Sequence, residues 1–74
     1  MRKLAVTGWD VNFQKIEFTK LLREELGYSL SEAKALTDAV LDSRPINLSF
    51  ADERFDAAVA AMSKIGAVFH EEDL

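Results

Sequence analysis

The chain has 74 residues, of which 49% are hydrophobic and 30% charged, and it contains no cysteine. A chain of this length buries about 60% of its unfolded surface and cannot form two separate cores, so a single domain over residues 1–74 is expected. Without cysteine, disulfides and cysteine-ligated metal centres are excluded. The apolar run that follows Lys3 is much shorter than the 7–15 residues of a signal-peptide core or the roughly 20 of a membrane span, so we expect a cytoplasmic protein with no membrane partner.

The net charge of −4 argues against binding to a phosphate backbone as the main activity. The charges are also unevenly distributed along the chain. Residues 1–34 carry six basic and five acidic side chains, whereas residues 35–74 carry three basic and eight acidic ones. We therefore expect a relatively basic side and an acidic side on one molecule, and no direct contact with nucleic acid.

The first strand and the first helix are predicted from alternation and from end signals. Residues 2–7 alternate, with Leu4 and Val6 on one face, and Gly8 ends the run. A helix then begins near residue 13, with Asp10 or Asn12 as its N-cap, and stops at Gly27, which suits the left-handed conformation past a helix end.

Ser29 and Glu32 have the spacing of a capping box, which predicts that a second helix follows almost immediately. This helix must end before Pro45, because the residue before a proline is pushed out of helical geometry. Its predicted apolar stripe is Leu30, Ala33, Leu36, Thr37, Val40 and Leu41.

The remaining residues predict a strand, a helix and a strand. Residues 46–50 alternate perfectly, Ser49 is the expected cap of the third helix, and residues 67–70 form the last strand. The acidic end, residues 71–74, is expected to fray, which leaves an ordered core of about residues 3–70. The stripe of the third helix is Phe55, Ala58, Val59, Met62 and Ile65. The order β-α-α-β-α-β predicts a two-layer α+β domain with three helices on one face of a three-stranded antiparallel sheet.

Residues 15–34 resemble the C-terminal domain of the bacterial large-subunit ribosomal stalk protein. In that family a lysine- and arginine-bearing helix ends at a glycine and is followed by the pattern Leu-x-Glu-Ala-Lys. The resemblance extends over roughly residues 3–72, and it implies the same order of elements. The positions that match are Lys15, Lys20, Arg23, Gly27, Leu30, Glu32, Ala33 and Lys34, with Pro45, Gly66 and Ala67 farther on.

The resemblance implies a non-enzymatic domain that binds a translation GTPase or a ribosome-associated protein through the basic face of its first two helices. The residues of that surface would be Lys15, Ile16, Lys20, Arg23 and Lys34. The sequence departs from the family at Glu17, Thr19 and Tyr28. It also has no counterpart of the family's dimerisation region and hinge, so we expect a monomer or weak homodimer and not a complete stalk subunit.

The adaptor of the Clp protease, which has a related fold, provides an alternative. Its pocket binds chain termini and uses an Asn-Asp-Asp stretch after the first strand and a histidine on a helix. In this chain Trp9, Asp10 and Asn12 occupy the place of that stretch in a different order, and neither of the first two helices contains histidine. A pocket near residues 9–12 remains the alternative prediction.

A helical wheel supports the basic surface without any family knowledge. It places Phe18 and Leu22, with Leu21 and Leu26, on the core face of the first helix. Ile16 lies almost opposite. Lys20 and Arg23 fall beside it on the same outer surface, and Phe13 lies at one end of that surface. Two interpretations stay open for Ile16: an ordinary exposed apolar residue or the centre of a binding patch. For Trp9, a place in the core is favoured over a partner contact.

Residues suited to catalysis or metal binding are few. Asp52 and Asp56 share a helix face, but the positive end of the third helix already accounts for acidic residues there. His70 is the only histidine, it is expected to face water, and no glycine-rich phosphate loop is present. We therefore expect no enzymatic activity, no cofactor and no metal site.

Overall fold

Six regular elements follow one another in the predicted order. A computed structural model describes residues 1–72 and confirms the α+β fold, in which three helices pack with one antiparallel sheet. The elements are β1 (Arg2–Trp9), α1 (Lys15–Leu26), α2 (Leu30–Leu41), β2 (Ile46–Phe50), α3 (Asp52–Ile65) and β3 (Ala67–Glu72). No helix within residues 1–72 has both the length and the apolar character needed to cross a lipid bilayer.

The first strand lies at the centre of the sheet, whose order is β2-β1-β3. Val6 pairs with β2 on one side and with β3 on the other, but the next residue of β1 to pair with β3 is Gly8. Thr7 is therefore the extra residue of a β-bulge. Because pairing resumes after this bulge, β1 continues to Trp9, and the prediction that the strand stops at Gly8 is wrong.

The helices cover one face of the sheet, and the core lies between the two layers. On the uncovered face Lys3, Asn47 and His70 are exposed, whereas Ala5, which pairs with Asn47 and His70, is buried. In α1, Phe18 and Leu22 are fully buried, as the helical wheel predicts. The other buried side chains of the core include Leu4, Val6, Ala33, Val40, Ile46, Leu48, Phe50, Phe55, Ala58, Met62 and Ile65.

Helix α2 has the predicted capping box. The Ser29 Oγ accepts a hydrogen bond from the Glu32 N–H at 3.1 Å, and the Glu32 carboxylate accepts one from the Ser29 N–H at 3.1 Å. Gly27, which follows α1, has a φ of 72° and ends that helix as expected. Both signals are local in sequence, which is why they identify the ends of these helices.

The predicted caps of the other two helices are wrong. Helix α1 begins at Lys15 with Gln14 at the cap position, because the Asp10 carboxylate accepts a hydrogen bond from the Asn12 N–H within a turn instead. Helix α3 begins after Ala51, and Ser49 remains part of β2. Neither helix has a side-chain cap.

Part of the acidic end belongs to the sheet. Glu71 and Glu72 are the last residues of β3, so the prediction that they fray is wrong, whereas Asp73 and Leu74 lie outside the described residues. The Glu71 carboxylate binds Arg2 through Nε at 3.0 Å and Nη2 at 2.7 Å. The same guanidinium lies 3.8 Å from the centre of the Phe55 ring. This arrangement links the end of β3 to β1 and α3.

Two apolar residues are more exposed than predicted. Leu30, in the first turn of α2, is 45% exposed and lies beside residues of α1. Trp9 is 43% exposed. Its indole N–H donates to the carbonyl of Leu41 at 3.1 Å, and its ring lies 6.3 Å from that of Phe13, so it covers one end of the core without being enclosed.

Candidate functional site: a basic groove between α1 and α2

A groove of about 830 Å³ runs between α1 and α2. Its wall contains all five residues of the predicted partner surface: Lys15, Ile16, Lys20, Arg23 and Lys34. The other lining residues are Thr19, Glu24, Tyr28, Leu30, Thr37 and Asp38. We call this site the α1–α2 groove.

The amphipathic pattern of α1 explains why these side chains meet in the α1–α2 groove. Burial of Phe18 and Leu22 against the sheet turns the opposite side of the helix outward. Ile16 lies on that outer side and is 74% exposed. On α2 the burial of Ala33 leaves the neighbouring Lys34 at the surface, where it faces the same groove. The core pattern thus positions the basic residues.

The cations of the α1–α2 groove have no ion-pair partner within residues 1–72. This distinguishes Arg23 from every other arginine of the chain. Each of the others binds a carboxylate: Arg2 with Glu71 at 2.7 Å, Arg44 with Asp42 at 3.3 Å, and Arg54 with Glu25 at 2.7 Å. The guanidinium of Arg23 is therefore available to an anionic group from outside.

Two threonines form the floor of the α1–α2 groove. The hydroxyl oxygens of Thr19 and Thr37 are 2.7 Å apart, and each lies 2.9 Å from the carbonyl four residues earlier in its own helix. Two hydroxyl hydrogens cannot serve three such contacts, so one hydroxyl donates across the groove and gives up its contact within the helix. Thr19 thereby ties α1 to α2.

One end of the α1–α2 groove is apolar in a way the sequence analysis missed. Tyr28 packs its ring against the core, and no hydrogen-bond partner for its hydroxyl is found within residues 1–72. Leu30 lies beside it. The only signal in the sequence was Leu30 itself, which the apolar stripe of α2 had assigned to the core.

The prediction that Phe13 lies at one end of the basic surface is wrong. Its ring lies 5.4 Å from that of Phe18 and 6.3 Å from that of Trp9, and it packs on the core because the chain before α1 folds back over the end of α3. The N–H of Gln14 donates to the carbonyl of Ile65 at 2.8 Å in this connection.

The alternative site near residues 9–12 lies at the end of the molecule where Phe13 packs on the core. The Asp10 carboxylate is engaged in its turn, and the Asp10 N–H donates to the carbonyl of Gly66 at 3.0 Å. Val11, at the tip of the turn, is 94% exposed. This region therefore presents an apolar tip next to the partly exposed Trp9, with one of its two polar side chains already used.

The residues considered for metal binding or catalysis are dispersed. The Asp52 carboxylate lies 3.4 Å from the amino group of Met1. His70 is exposed on the uncovered face of the sheet, where it pairs with Ala5. Within residues 1–72, no three histidine or acidic side chains are grouped so that they could hold a metal ion.

No protein-family model matches the chain, and neither a curated protein nor a solved structure is significantly similar to it.

Proposed function

We propose that this domain is a non-enzymatic protein-binding module and that the α1–α2 groove is its binding surface. One observation carries the proposal: four cations without ion-pair partners in residues 1–72 line a single groove together with the exposed Ile16. The resemblance to the ribosomal stalk domain adds a partner class to the proposal, a translation GTPase or another ribosome-associated protein.

The chemistry of the α1–α2 groove suits an acidic protein surface. Cations attract such a surface before contact and accelerate the encounter, and salt weakens this attraction. An apolar side chain that becomes buried in the interface contributes more of the affinity once water is excluded. In this proposal Lys20 and Arg23 steer the partner, and Ile16 anchors it.

A second candidate function is an adaptor similar to that of the Clp protease. The exposure of Val11 beside Trp9 favours it, because exposed apolar residues at a turn can contact a peptide. It predicts that Asp10 and Asn12, and not the cations of α1, determine binding.

Binding by purified elongation GTPases and by Clp ATPase distinguishes the two candidates. The double variant Lys20→Glu/Arg23→Glu should lose GTPase binding, while its free energy of unfolding changes by about 0.5 kcal/mol or less per site. Lys64→Glu is the matched control, since Lys64 is an exposed cation of α3 outside the groove. Affinities measured at two salt concentrations should converge at high salt for the parent and the double variant.

Unchanged GTPase binding in the double variant would refute the groove as the binding surface. Loss of Clp ATPase binding in Asp10→Ala and Asn12→Ala, with the groove variant unaffected, would establish the second candidate instead.

A further inference from the structure

We propose that the occupant of the α1–α2 groove is a helix of the partner protein that has acidic side chains at its centre and a bulky apolar side chain near each end. This inference rests on the proposed function and specifies the chemistry of the partner. It assigns a role to Tyr28 and Leu30, which lie outside the basic surface predicted from the sequence.

The apolar contacts lie at opposite ends of the α1–α2 groove. Ile16 belongs to the first turn of α1, whereas Tyr28 and Leu30 follow the end of that helix. The twelve residues of α1 extend about 18 Å at 1.5 Å per residue. An occupant must therefore span most of this length to contact both ends.

Three of the four cations lie between these ends. Lys20 and Arg23 follow Ile16 by one and two turns of α1, and Lys34 faces them from α2. An unpaired arginine binds a carboxylate through two parallel hydrogen bonds, which fixes position as well as adding affinity. Acidic side chains in the middle of the occupant would meet these groups.

The walls of the α1–α2 groove favour a helical occupant over an extended one. Both walls are helices, and their peptide groups are bonded within the helices themselves. An extended peptide would find no row of backbone donors and acceptors to pair with, whereas a helix satisfies its own. On such a helix, positions i, i+4, i+7 and i+11 share one face, and the outer two are about 16 Å apart.

Glu24 and Asp38 limit the register of the occupant. Both line the α1–α2 groove together with the cations, and like charges brought together destabilise a complex. Glu24 directly follows Arg23, and Asp38 lies one turn after Lys34 in α2, so the carboxylates of the occupant must face the cations and avoid these two residues. The central placement of the acidic side chains is therefore part of the expected specificity.

A pair of synthetic peptides tests the inference on the full chain. The first is a labelled, end-capped helix of about 14 residues with leucine at i and i+11 and glutamate at i+4 and i+7, on an alanine and glutamine background. The second has the same composition, with the two leucines moved to the opposite face. Fluorescence anisotropy should show the first peptide binding about tenfold more tightly than the second. Equal affinities would overturn the inference.

Variants of the protein test whether the two apolar ends of the α1–α2 groove contact the peptide. Ile16→Ser and Leu30→Ser should each weaken binding of the first peptide by about tenfold, the effect of losing one apolar anchor. Val68→Ser is the matched control, because Val68 is 48% exposed on β3 and lies outside the α1–α2 groove. It should leave the affinity unchanged. A Leu30→Ser variant that binds like the parent would overturn the assignment of the second end.

The same variants separate this inference from the function on which it rests. If Lys20→Glu/Arg23→Glu abolishes GTPase binding while Leu30→Ser preserves it, the groove is the binding surface and the two-ended helix is refuted. If neither change affects binding, both are refuted. Loss of binding in both, with normal binding in Val68→Ser, supports both.

Discussion

Gly66→Ala should be among the most damaging single-methyl changes in this domain. Gly66 ends α3 with a φ of 93°, a backbone conformation that residues with a side chain rarely adopt. A Cβ at this position would lie 2.8 Å from Oδ1 of Asp10 and 3.0 Å from the backbone N and Cα of Phe13. The Phe13 N–H is held by a hydrogen bond to the carbonyl of Asp10, so relief of the overlap requires movement of backbone.

Gly27→Ala is the matched control, because it has a φ of 72° and no heavy atom within 4 Å of the corresponding Cβ position. The left-handed conformation alone costs alanine about 1–2 kcal/mol. The overlap at Gly66 adds about 1–3 kcal/mol, the usual cost of forcing an extra methylene into a packed site. Urea unfolding followed by far-UV circular dichroism should therefore rank Gly66→Ala well below Gly27→Ala in stability. Equal losses in the two variants would show that the connection before α1 does not press on Gly66.

Three further changes test the core and the cap of α2. Leu22→Ala should cost about 2–5 kcal/mol in urea unfolding, because it opens a cavity under α1, and a loss below 1 kcal/mol would contradict its full burial. Ser29→Ala should cost about 1 kcal/mol by removing the bond to the Glu32 N–H, seen as a lower urea midpoint, and an unchanged midpoint would argue against the cap. Hydrogen bonding to the Ser29 backbone N–H, and secondly to the Ser29 side chain, lowers the pKa of the Glu32 carboxyl from its usual 4.5. The stabilisation from the ionised Glu32 carboxylate is therefore complete above pH 4.5 and is lost as the pH falls through the lowered pKa. Stability measured from pH 6 to pH 3 should consequently fall less in Glu32→Gln than in the parent, and parallel curves would refute this.

Signals contained in a few adjacent residues predicted the fold best. The capping box at Ser29 and the alternation of residues 46–50 each specify their element without reference to the rest of the chain. The start of α1 was missed because its first turn is stabilised from elsewhere. The Gln14 N–H donates to the carbonyl of Ile65, about fifty positions away in sequence, and no local pattern reveals such a bond.

The candidate site likewise contains residues that a local pattern predicts and residues that depend on packing between distant parts of the chain. A helical wheel of α1 predicts that Ile16 and its cations face away from the core, since periodicity alone determines which side is buried. The groove itself depends on how α1 and α2 lie beside each other. Tyr28, Leu30 and the bonded pair Thr19 and Thr37 become part of it only through that packing, which the separate helical patterns do not contain.

The central position of β1 has a consequence for the order of folding. Lys3 pairs with Glu72, so the middle strand of the sheet must wait for residues far along the sequence, and such distant pairings form slowly. The helix pair α1 and α2, joined by residues 27–29, needs only nearby contacts. A nascent chain that has not yet reached Ala67 would contain every residue of the α1–α2 groove while one edge of β1 stood open. That edge is a template for pairing with another chain, and the late arrival of β3 is what closes it.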